Sequence, residues 1–149
     1  MKPPVSIDAL IEMWSKDCVI DETEPGKELL RIPTLHSKYL TILTHHNLIV
    51  KKIISEYNFR KKLRWEYYAG HLNNPEDLQK YGYEPLLKTI IKQEIPQHLE
   101  ADAELNTLLL KRAANEEISN FCQSVLKELN SRTYQIRSFM DWEKFIGNQ

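Results

Sequence analysis

The sequence predicts an all-α protein: a helical N-terminal region with long helices, followed by a C-terminal helix of coiled-coil character. Three observations carry this. Breakers are scarce, with 4 Gly and 7 Pro in 149 residues, while 42% of residues are hydrophobic and 28% charged. That is the profile of a helix-rich globular chain, of a length for one domain or one domain with an extension. Two stretches, 34–69 and 97–146, contain neither Gly nor Pro. Both carry apolar residues at alternating spacings of three and four, the period of a helix face.

The first predicted element is a short helix from Ile7 to about Lys16, capped by Ser6, with Ile7, Leu10, Ile11 and Trp14 on one face. CVIDETEPGKE reads as a connection in which Pro25-Gly26 is the breaker. A long helix is then expected from Thr34 to Ala69, with Gly70 just past its end. Its seam at 35, 39, 42, 46, 49, 53, 56, 60, 63 and 67 is apolar or aromatic at most positions. Such a helix would run roughly 50 Å at 1.5 Å per residue, long enough to imply an extended shape or a partner. The β-branched run around TILTHHNLIVKKII lowers helix propensity and allows a break near Asn47.

HLNNPEDLQKYGYEP is the middle connection, in which Asn74 caps a short helix with Pro75 at its first position. Gly82 and Pro85 end it, and PLLKTIIKQEI reads as a further short helix stopping before Pro96. Asp102 is a cap for the last helix, expected to be single and long, although SRT at 131–133 offers a break. Its seam places Ile118, Cys122, Val125, Leu129, Ile136 and Phe139 at heptad spacing, broken by Arg132. The seam is read as an oligomerisation surface; packing on the chain's own long helix is the alternative. The organisation expected is a helical region at 1–96 that carries the chain's most basic segment, and an oligomerisation helix region at 97–149.

Several function classes find no support. No G-x-x-x-x-G-K-[ST] loop, dinucleotide fingerprint, H-E-x-x-H or C-x-x-C is present, so no cofactor and no metal site is expected. His45 and His46 are adjacent, so on a helix they point about 100° apart and share a metal poorly. The other histidines are isolated, and no catalytic constellation stands out, so the chain is read as a non-enzyme. Cys18 and Cys122 fit no metal spacing and are expected as free thiols in a reducing cytoplasm. The start, MKPPVSIDAL, is not expected to be a signal peptide, and no apolar run is long enough for a membrane span.

A net charge of −1 provides no bulk attraction to polyanions, so any nucleic-acid affinity must be local. One stretch supplies it. Lys51, Lys52, Arg60, Lys61, Lys62 and Arg64 face a single anion, Glu56, and are interleaved with Tyr57, Phe59, Trp65, Tyr67 and Tyr68. Cations neutralise phosphates while rings stack on unpaired bases, the combination a single strand requires. Lys62, Arg64, Arg60 and Lys61 are the candidate phosphate contacts; Trp65, Tyr67 and Tyr68 are the candidate stacking residues. A plain helix end is the competing reading, since terminal cations meet the helix dipole and tyrosines close core edges.

In this order, the segments D-A-L with K-D-C-V-I-D-E-T, then KKLRWEYYAG, then FCQSVLKELNSRTYQIRSFMDWEKFIG make the chain resemble the UvsY family. These are the recombination mediators of T-even-type bacteriophages. The resemblance spans about Asp8 to Gly147 and is poorest over HLNNPEDLQKYGYEP. It implies a non-enzymatic protein of the infected bacterial host's cytoplasm. Such a protein binds single-stranded DNA and loads a RecA-like phage recombinase onto strands coated by single-strand DNA-binding protein. It also implies ring-like homo-oligomers of about six or seven copies, assembled through the C-terminal part. The family's basic K-x-R segment, implicated in DNA binding, corresponds to Lys62 and Arg64. The neighbours Lys61 and Trp65 depart from the family pattern. Three other readings remain from the residues: an oligomeric scaffold binding proteins only, an RNA-binding protein, because stacking with phosphate contact tolerates either backbone, and a small cofactor-free helical enzyme.

Overall fold

A computed structural model describes residues 6–148; the first five residues of the N-terminal stretch lie outside it. Five helices account for most of the described chain, and no strand occurs among the described residues. They are α1 (Ile7–Asp17), α2 (Pro25–Tyr68), α3 (Pro75–Tyr81), α4 (Ile95–Glu100) and α5 (Ala103–Gly147), with a 3-10 turn at Lys92–Glu94 before α4. None is long and apolar enough to cross a membrane.

The helix starts follow local chemistry. The Ser6 hydroxyl accepts from the Ala9 amide at 3.2 Å and the Asn74 side-chain Oδ1 from the Glu76 amide at 3.0 Å. Asp102 Oδ1 accepts from the Leu105 amide at 3.0 Å, which opens α5. Three prolines behave differently from expectation. Pro25 opens α2 instead of ending the connection, so the helix gains a leading segment of nine residues ahead of Thr34. A proline in the first turn forfeits an amide that has no helical partner anyway. Pro33 lies inside α2 at an exposed position, where water can replace the lost backbone bond. PLLKTII is irregular chain with a bend at 87–88, and Pro96 sits in the first turn of α4, so the helix begins where it was expected to stop. Neither α2 near Asn47 nor α5 at 131–133 breaks. Gly70, at φ 81°, follows the end of α2 in the left-handed region that an L side chain resists.

The chain divides into two compact units, Met1–Ile49 with Ala114–Gln149, and Val50–Ala113. The long helices α2 and α5 each give one segment to each unit.

In the first unit α1 packs with the leading part of α2 and the trailing part of α5. Leu10, Leu35, Tyr39, Ile42, Ile118, Cys122, Val125 and Leu129 form its core. The heptad seam of α5 is therefore buried within one chain as far as Ile136, and Phe139 alone is partly exposed. Ile118, Cys122, Val125, Leu129 and Ile136, expected as an oligomerisation surface, are thus buried in the single chain, the first four in the core shared with α1 and α2. Polar ties fix the packing. Asp17 Oδ2 accepts from Lys38 Nζ at 2.6 Å and from the Tyr39 hydroxyl at 2.9 Å. Arg132, the polar interruption of the seam, donates to the Cys18 carbonyl at 2.7 Å and lies over the Trp14 ring. His46 Nδ1 pairs with Asn115 Oδ1 at 2.8 Å, making it a bonded core histidine.

The second unit is built on the trailing half of α2, with α3, α4 and the start of α5. Its apolar cluster is Tyr67, Leu78 and Tyr83, with Leu63, Tyr68, Leu72, Tyr81 and Leu86 around it.

Candidate nucleic-acid interface

The basic–aromatic stretch forms the last turns of α2. On a helix, residues two apart point about 160° from one another, and this separates its cations into two sets. Arg64 faces inward. Its Nε donates to Asp102 Oδ2 at 2.5 Å and its Nη2 to the Tyr68 hydroxyl at 3.0 Å. The Tyr68 hydroxyl in turn donates to the same Asp102 oxygen at 2.6 Å. The guanidinium lies among three rings, 4.7 Å from the centroid of Tyr67, 5.0 Å from Tyr68 and 4.3 Å from Tyr83. The Asp102 side chain is 0% exposed, and its other oxygen caps α5. One carboxylate thus ties the end of α2 to the start of α5.

The electrostatics agree. Burial opposes charge on Arg64, but the hydrogen bonds and charges of Asp102 and Tyr68 together outweigh it and hold the guanidinium pKa above its ordinary value. Burial likewise opposes the Asp102 carboxylate; the Tyr68 hydroxyl, the Leu105 amide and Arg64 prevail and keep its pKa low. Tyr68 is pushed up to about 12 by burial and by the neighbouring carboxylate. Arg60 is also engaged, 3.4 Å from Glu104 Oε1, which accepts from the Tyr83 hydroxyl at 3.2 Å.

Lys61 and Lys62 face outward. They and Lys51 and Lys52 are exposed, and among the described residues none of the four carries an ion pair. Lys51 precedes Lys62 by eleven residues, three turns, which places the two within about 20° of one face. Trp65 is half-buried with its edge toward His71, 5.7 Å between centroids. It lines a shallow groove with Asn58, Lys61, Lys62, Glu66 and Leu99. The other two predicted stacking rings are committed to the interior. Tyr67 is buried against Tyr83 and donates its hydroxyl to the Glu84 carbonyl. Tyr68 packs beside His98 and binds Asp102.

The structure therefore brings Lys61, Lys62 and Trp65 together at the surface, and draws Arg64, Tyr67 and Tyr68 into a buried network with Arg60 at its rim. Sequence reasoning identified Asp102 as a cap but not as the partner of Arg64, and did not single out Tyr83 or Glu104. The cap was a local signal; the ion pair joins residues 38 positions apart. No group of His, Cys, Asp and Glu among the described residues could hold a metal ion.

The chain aligns with the crystal structure of the bacteriophage T4 recombination mediator protein UvsY at a TM-score of 0.81 and 22% identity, covering 97% of this chain and 99% of that one. A second crystal form of the T4 protein gives 0.80 at 23% identity, over 92% and 98% of the two chains. A third gives 0.80 at 22%, over 93% and 97%. The model of the UvsY family, described as recombination, repair and ssDNA binding protein UvsY, matches residues 13–148, and the chain belongs to that family. No match is found among curated protein sequences.

Proposed function

We propose that this protein is a recombination mediator. It holds single-stranded DNA and promotes loading of a RecA-like recombinase onto strands coated by single-strand DNA-binding protein, without catalysis, in the cytoplasm of an infected bacterium. The observation that carries the reading is the pair of exposed, unpaired lysines, Lys61 and Lys62, beside Trp65 in a chain of the UvsY family. Phosphates lie on Lys61 and Lys62, with Lys51 extending the track, and Trp65 stacks on a base. Arg64, Tyr67 and Tyr68 support this surface from beneath. No side chain here is arranged to read base edges, so sequence preference is weak.

The protein works as a homo-oligomer, a ring of about six or seven copies, because one small cationic patch is modest but several held along one strand act at high effective concentration. The C-terminal end of α5 supports self-association. Beyond Ile136 the seam leaves the core, and Phe139, Trp142 and Ile146 continue it at 3–4 spacing on one face, with Trp142 and Ile146 59% and 51% exposed. Multivalent holding allows single sites to open for the recombinase without release of the strand.

The test is fluorescence anisotropy of labelled oligo-dT across a salt series. Wild-type affinity should fall steeply with salt. Lys61→Ala/Lys62→Ala should weaken binding and flatten the slope of log K against log salt by about 1.4, about 0.7 per lost contact to a single strand. Absence of salt-dependent binding by the folded protein would refute the reading. The loading step is read separately, as a shortened lag in recombinase ATPase activity on strands pre-coated with single-strand DNA-binding protein.

A further inference from the structure

Trp65 is not the only ring bordering the exposed lysines. Tyr57, Lys61 and Trp65 are spaced by four, so they rise along one side of α2 in steps of about 6 Å. Lys61 Nζ lies over the Tyr57 ring, 5.9 Å from its centroid. Two grooves meet at this lysine. The first, about 440 Å³, carries Trp65 and Lys62. The second, about 380 Å³, carries Tyr57, Pro96, Leu99, Asn106 and Leu109, with Glu100 as its one anion. Lys61 and Leu99 line both, so the two grooves adjoin at these residues, with Trp65 in one and Tyr57 in the other. Each volume lies within the roughly 300–1,000 Å³ of pockets that take small ligands.

We infer that Tyr57 is a second base-stacking position for single-stranded nucleic acid, reached from Trp65 across the Lys61 ammonium in the groove walled by Pro96 and Leu99. The inference rests on the strand-binding reading above and adds to it a residue and a direction. Ring, cation and ring in series match base, phosphate and base along an unpaired strand. The two rings stand about 12 Å apart along the helix, so consecutive bases need not stack on each other to reach both. Glu100, on the α4 side, repels phosphate and keeps the backbone over Lys61 and Lys62. The apolar wall of Pro96, Leu99 and Leu109 suits the face of a base. A duplex hides its base faces, so this strip selects unpaired strands through geometry as well as charge.

The experiment compares labelled oligo-dT with an abasic strand of equal length and charge, on the full chain and on Tyr57→Leu and Tyr57→Phe. Leucine preserves the half-buried packing and removes the ring; phenylalanine preserves the ring. Tyr57→Leu should weaken oligo-dT binding roughly 5- to 150-fold, the loss of one stacked base, with the salt slope unchanged and abasic binding unaffected. Tyr57→Phe should bind as wild type, and its behaviour decides the matter if the leucine variant fails to fold: a loss as large as that of a missing ring would overturn stacking. Wild-type binding by Tyr57→Leu, or an equal loss on both strands, would overturn the inference while leaving the strand-binding reading intact. Failure of the wild-type protein to bind oligo-dT would instead overturn that reading and this inference with it.

Discussion

Arg64 and Asp102 decide how the basic stretch is divided between structure and binding. A buried ion pair broken on one side leaves an uncompensated charge, which costs about 3–5 kcal/mol. Arg64→Ala and Asp102→Asn should therefore both lower the melting temperature; asparagine keeps an oxygen for the Leu105 amide but removes the charge that pairs with Arg64. The two variants also separate a supporting role from direct phosphate contact. If Arg64 gripped DNA, removing its competing carboxylate would strengthen binding, and Arg64→Ala would flatten the salt slope. The network predicts the opposite in an anisotropy titration: both variants bind more weakly, and the slope is retained. Acid provides a further check. The native Asp102 pKa lies below the 3.8 of an ordinary aspartate, so the unfolded chain takes up the proton first. Its contribution to stability is complete above that value and is lost as pH falls through the lower native one. Asp102→Asn should reduce the acid-induced loss of stability measured by urea unfolding across pH 2–5. Thiol chemistry distinguishes the two cysteines: burial pushes Cys122 up to about 11 and it is fully enclosed, while Cys18 is half-buried. Alkylation followed by mass spectrometry should label Cys18 in the native protein, and Cys122 after unfolding.

At the scale of elements, sequence and structure differ most at proline. Pro25 and Pro96 look like stops in the sequence and are starts in the fold, because the same missing amide ends a helix interior and suits a first turn. Local composition does not distinguish the two until the flanking residues are known to pack. Capping signals fared better, since Ser6, Asn74 and Asp102 each bond the amide two or three residues ahead. The seam of α5 was legible as an apolar stripe, but its partner was not: a 3–4 spacing specifies a face to be buried without saying against which chain. Its burial predicts that Leu129→Ala costs about 2–5 kcal/mol, visible as a lower midpoint in thermal or urea unfolding. A seam serving only between chains would instead change the assembly mass and spare the unfolding of the monomer.

For the whole molecule, the proposed self-association and the proposed strand holding are linked. Trp142 stacks on Phe145 at 5.8 Å between centroids, and both are largely exposed at the end of α5. Trp142→Asp/Ile146→Asp should shift the mass seen by light scattering toward monomer while leaving helicity by circular dichroism intact. Such a variant should bind long oligo-dT far more weakly than wild type, and a strand spanning one site almost equally, because avidity is lost and the single site is not.

Most of the helices, three of their caps, the absence of a cofactor motif and the location of the basic–aromatic stretch follow from the sequence alone. They depend on contacts a few residues apart, which spacing and residue type disclose. Tertiary structure decided which members of that stretch meet solvent. Lys62 and Arg64 are two positions apart and chemically alike, yet the first projects into water while the second is held by a carboxylate 38 residues away. It likewise decided that the α5 seam is covered by α1 and α2. Both outcomes turn on long-range packing, where burial and ion pairing are fixed by residues that no local pattern connects.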